Sequence, residues 1–164
     1  MSELDDAVRR WAQGVYPVEA GAELLIRQGK AIYEGAPWLR EVGAEVGQRM
    51  VEIDHVKLSS WSRAWSGSER RIVDVATSLL YRRGRVNLHD AVTGLDPEQL
   101  ELVLAAISHA AGSHETPSKI RGYSGPVNAH PWPERLNSIG STSRPNRAVV
   151  HEQGDASGGP SRTL

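Results

Sequence analysis

The chain has 164 residues, no cysteine and a formal net charge of −1. That length suits one ordinary domain, in which a core of about 110 residues buries about 65% of its unfolded surface. The lack of cysteine excludes disulfides, thiolate zinc or iron–sulfur ligation and cysteine nucleophiles, so any metal would have to sit on His, Asp or Glu.

The first helix is written after Ser2 as N-cap, with Leu4, Ala7, Val8, Trp11 and Ala12 recurring on one face and Glu3, Asp5 and Asp6 at the positive end of its dipole. Gly14 ends it. Pro17 then opens a second helix through Val18, Ala22, Leu25 and Ile26, closed by Gly29. Pro37 is read as opening a third helix with Trp38, Leu39, Val42 and Val46, weakened by Gly43 and Gly47. Val51 and Ile53 alternate with Glu52 and Asp54, the pattern of a short extended segment, and the serine-rich stretch from Ser59 to Ser66 reads as a loop pinned by Trp61 and Trp65.

Ser66 and Glu69 make a capping box for a helix carrying Ile72, Val75, Ala76, Leu79 and Leu80, predicted to run to Gly84 with Arg82 and Arg83 in its last turn. Asn87 caps a short helix with Leu88, Ala91 and Val92. Asp96-Pro97-Glu98-Gln99 starts the last helix, whose main face is Leu100, Val103, Leu104, Ile107 and Ala111. Leu102, Ala105 and Ala106 make it apolar on a second side, which suits a central helix or one shared with a partner chain.

Residues 113–164 hold most of the prolines, with many Ser and Gly and no sustained period, so they lack the apolar area to offset ordering entropy. The expected organisation is therefore a helical domain over residues 1–112 and a disordered Pro/Gly/Ser-rich tail over 113–164. Within that tail Trp132, between Pro131 and Pro133, is the one peptide-like anchor, set against the plainer reading of a solvated linker. The fold class expected is all-α, a small bundle of four to six short helices. The acidic start and the shortness of the longest apolar run, Leu102 to Ile107, predict a cytoplasmic chain without a membrane span.

Ser66-Gly67-Ser68-Glu69-Arg70-Arg71, Asp90 and Thr93-Gly94-Leu95-Asp96-Pro97-Glu98 resemble the signature loop, Walker B aspartate and D-loop of ABC-type ATPases in order. There is no GxxxxGK[ST] phosphate loop, no apolar run before Asp90, and Ala91 stands where a catalytic glutamate would follow, so nucleotide hydrolysis is not expected. A second resemblance covers most of residues 5–115. Trp11-Ala12-Gln13-Gly14, Glu19 to Ile26, Ser66 to Arg71, Thr93 to Asp96 and Leu102 to Glu115 look like a group of small uncharacterised proteins from GC-rich bacteria. The excess of arginine over lysine, 16 to 3, agrees with such a genome. The resemblance supports a domain end near residue 115 and implies nothing about catalysis.

His89, Asp90, His109, His114 and Glu115 invite a metal hypothesis, but the five-residue separation of His109 and His114 is poor for one helical face and no HExxH pattern occurs. No GxSxG elbow is present. No catalytic residue, cofactor site or metal site is assigned, although motif absence leaves room for an enzyme of unfamiliar type. The expected role is a non-enzymatic protein-interaction or regulatory module, acting with a protein partner or as a homodimer. Its candidate anchors are Trp38, Trp61 and Trp65, with core burial the competing reading for each. The alternative is a nucleic-acid accessory protein acting through Arg70, Arg71, Arg82, Arg83 and Arg85, with Arg71, Ser78 and Arg82 as a phosphate-contacting stripe.

Overall fold

The computed structural model describes residues 2–43, 47–113 and 132. Among them are six α-helices and one two-stranded antiparallel sheet, so the chain is mostly helical without being purely all-α. In α1 (Glu3–Ala12) Ser2 Oγ accepts the Asp5 amide at 3.1 Å and the Asp5 carboxylate accepts the Ser2 amide at 3.2 Å. This reciprocal cap satisfies two donors that an isolated helix end leaves open. The stripe read from the sequence is the buried one, with Leu4, Ala7, Val8 and Ala12 in the core. Pro17 lies in the first turn of α2 (Tyr16–Gln28), and Gly29 closes it at φ 80°, where its amide reaches the Ile26 carbonyl. A left-handed closure of this kind is what favours glycine there.

The third helix expected from Pro37 does not form. Leu39–Val42 is instead β1, paired antiparallel with β2 (Met50–Ile53) in the register Leu39 to Ile53 and Val42 to Met50. Arg40 and Glu52, opposite one another, make a cross-strand ion pair, and Arg49 bridges Glu41 and Glu34 at 2.8 Å each. The alternating segment at 50–53 supplied a pairing partner, and strand pairing with burial of Val51 and Ile53 outweighed a helical period already weakened by glycine. The Trp38 carbonyl continues the ladder by accepting the Asp54 amide at 2.8 Å.

The serine-rich loop is also corrected. Asp54 accepts the amides of Val56 and Lys57 and starts α3 (His55–Trp61), which runs into a 3-10 turn at Ser62–Ala64. α4 (Gly67–Leu80) begins with the Ser66–Glu69 box but stops before Gly84. Tyr81 turns extended and stacks its ring on His55, centroids 4.3 Å apart, leaving Arg82 and Arg83 beyond the helix. α5 (Leu88–Val92) and α6 (Pro97–Ala110) start at Asn87 and Asp96 as read.

The helix at the centre of the bundle is α2, packed on α1, α4 and α6. α6 is turned relative to expectation. Leu102, Val103, Ala105 and Ala106 are buried, whereas Leu100 and Ile107 are 37% and 46% exposed. The inner face thus combines Leu102 and Val103 with two alanines, whose small side chains suit close packing against α2. Among the described residues no helix is long and apolar enough to cross a membrane. Of the predicted tail only Ser113 and Trp132 are described; its expected disorder concerns residues outside that set.

Candidate functional site

Three places gather side chains with chemistry. The first holds all three tryptophan candidates. Trp38 is 2% exposed, and its indole Nε1 donates to the Ala31 carbonyl at 2.8 Å, so it is a core residue and not a contact surface. Around it stand Tyr33, edge-on at 5.6 Å and 89°, Trp65 at 5.8 Å and Trp61 at 6.2 Å between ring centroids. Trp61 ends α3 with 58% of its surface exposed, Tyr33 is 47% exposed, and Trp65 is half-buried. Lys30 Nζ lies 4.9 Å from the centre of the Trp65 ring and 2.6 Å from Glu69 Oε2. Burial alone would raise the Glu69 carboxyl, but the hydrogen bonds from Lys30 and Ser66 prevail and hold it below its ordinary value. The edge-to-face pairs that Tyr33 and Trp65 make with Trp38 add to area burial, and the exposed Trp61 indole rests against Trp38 at a tilt of 56°.

The second place holds part of the arginine cluster. Arg70, Arg71 and Arg85 line a cleft of about 480 Å³ with Asp74 and Asp90. Arg71 Nε donates to the Asp90 carbonyl at 2.8 Å, tying α4 to α5. Desolvation by the cleft raises the Asp74 carboxyl above its usual value against the pull of Arg70. Arg82 and Arg83 do not line this cleft. With α4 ending at Leu80, the stripe of Arg71, Ser78 and Arg82 on one helical face does not exist.

The third place was not read from the sequence as a site. A groove of about 470 Å³ runs between α1, α2 and α6, walled by Arg9, Glu19, Glu23, His109 and Trp132. Glu23 accepts Arg9 Nε at 2.8 Å and Arg27 Nε at 2.6 Å. Burial would raise the Glu23 carboxyl, yet the two guanidinium groups outweigh it and hold the carboxyl below its ordinary value. His109 Nε2 lies 2.9 Å from Glu19 Oε2, with the Tyr16 ring edge-on to the imidazole at 6.0 Å. Trp132, the anchor candidate of the tail, is half-buried here, while the linker on either side of it lies outside the described residues. The advance signals were partial: Trp132 between two prolines stood out as an anchor, and Glu23 and Arg27 have the i,i+4 spacing of a helical ion pair, but which element each faces is a tertiary fact.

Among the described residues no group of three or more His, Asp or Glu gathers in a metal-holding arrangement. His109 faces Glu19, His89 lies on α5, and His114 and Glu115 are outside the described residues. No protein-family model, curated protein or solved structure matches the chain, so the resemblance to small bacterial proteins rests on the quoted residues alone.

Proposed function

We propose that this chain is a non-enzymatic protein-interaction module, working in the cytoplasm, that engages a protein partner through the aromatic surface of Tyr33, Trp61 and Trp65. The observation that carries this reading is Trp61, 58% exposed at a helix end and held from behind by a buried tryptophan. An exposed large aromatic side chain costs solvation free energy and gains it back when a partner covers it, and a pre-positioned indole gives up little entropy on binding. Arg63 is exposed beside Trp61, as is Lys57, which pairs with Asp54 at 3.8 Å, and the carboxylate near Trp65, Glu69, is paired with Lys30. A partner segment with apolar side chains flanked by carboxylates fits that surface.

The test is a photo-crosslinking amino acid placed at the exposed position 60, next to Trp61, of the full chain in the host cell, with position 3 on the exposed start of α1 as control. A discrete adduct from 60 and none from 3 is expected, and Trp61→Ala should abolish co-purification of the captured partner with little change in melting temperature. Equal adducts from the two positions, or co-purification that survives W61A, would defeat the proposal.

A second reading, a nucleic-acid accessory protein, is favoured by the shared cleft of Arg70, Arg71 and Arg85. Its measure is salt-dependent binding to duplex DNA, lost when Arg70, Arg71 and Arg85 are changed to alanine. No binding at low salt removes it.

A further inference from the structure

We propose that the groove between α1, α2 and α6 is a peptide-binding site, and that its occupant is the chain's own C-terminal segment, seated through Trp132. The inference uses none of the side chains of the aromatic surface and does not depend on it.

The Trp132 ring lies over the Arg27 guanidinium, 5.4 Å from ring centre to the guanidinium carbon, and 6.1 Å from the centre of the His109 ring. A guanidinium over an indole face is the most favourable pairing of its kind, gaining more as the site loses water. The side chains of the seat are also held by contacts that do not involve the indole. Arg27 is fixed by Glu23, Glu23 is fixed in turn by Arg9, and the His109 imidazole is oriented by Glu19. Glu19 is itself held by the Gly14 amide at 2.7 Å, so the seat is tied to the α1–α2 turn. Beside the indole the groove still offers about 470 Å³ between walls of both charge signs. The sequence next to the anchor, Pro133-Glu134-Arg135, brings one charge of each sign to match.

Connectivity favours the chain itself as occupant. Only residues 114–131 separate Ser113, just past α6, from Trp132. A connection of that length sets an effective concentration on the order of millimolar. An anchor that binds only weakly from solution is therefore well occupied in cis. The prolines on either side of Trp132 in the sequence reduce the backbone freedom that docking must remove.

The experiment titrates a synthetic peptide of residues 127–137 by calorimetry into the full wild-type chain and the full W132A chain. W132A should bind the peptide at least tenfold more tightly than wild type, whose groove is already taken. The same peptide carrying alanine for its tryptophan should not bind, and Arg27→Ala in the W132A background should weaken binding at least tenfold. No binding to W132A, or equal affinity for the two chains, would overturn the proposal. So would a wild-type dimer that dissociates on W132A, because the occupant would then be a second copy.

Discussion

Glu23 sits between two guanidinium groups, and its carboxyl is held below its ordinary value because Arg9 and Arg27 together outweigh the cost of burying it. In the unfolded chain that carboxyl titrates in the ordinary glutamate range. Its stabilising share is therefore complete above that range and is lost as the pH falls through the lower folded-state value. Glu23→Gln should flatten the acid side of a plot of melting temperature against pH, and an unchanged slope would show that the pair contributes nothing. At this scale the sequence was informative about caps and silent about partners. Ser2, Ser66, Asn87 and Asp96 all bond the amides their positions predicted, because a cap is settled within four residues. Arg9 meeting Glu23, or Trp132 meeting Arg27, depends on how helices lie against one another, and no local pattern encodes that.

Among the elements, the contact between α2 and α4 turns on Gly21. A β-carbon there would stand 2.8 Å from Leu80 Cγ and 2.9 Å from the Ala76 carbonyl oxygen. Backbone cannot give way as a flexible side chain can, so Gly21→Ala should destabilise the chain by roughly 1–3 kcal/mol in chemical denaturation, despite alanine's better helix propensity. A stabilised variant would mean that the helices are not so closely apposed. Helices with a cap and a clean period were legible; the stretch from Pro37 to Ser66 was not. There Leu39 and Val42 suit a helix face or a strand about equally, and the choice was made by the neighbouring strand. Asp54 was a cap signal of the same kind as Ser66, passed over because the serines after it look like loop. The rotation of α6 was illegible for a different reason: both of its sides are apolar, so periodicity alone cannot say which faces inward.

At the scale of the molecule, α2 packs on α1, α4 and α6, and its Leu24, Leu25 and Ile26 are fully enclosed. Its amides should be the slowest to exchange hydrogen, opening only with global unfolding, while those of the short, exposed α5 should exchange through local opening. Slower exchange in α5 than in α2 would contradict this arrangement. The aromatic cluster has a further consequence. Indoles at 38, 61 and 65 whose rings lie within 6.2 Å of Trp38 are close enough to share electronic excitation, and one of the three is open to water while another is sealed in the core. The protein thus carries an intrinsic optical sensor: covering the outer indole should shift emission toward the blue and alter the lifetime of the inner one, so that occupancy of this surface can be followed by ultraviolet light alone, without any dye.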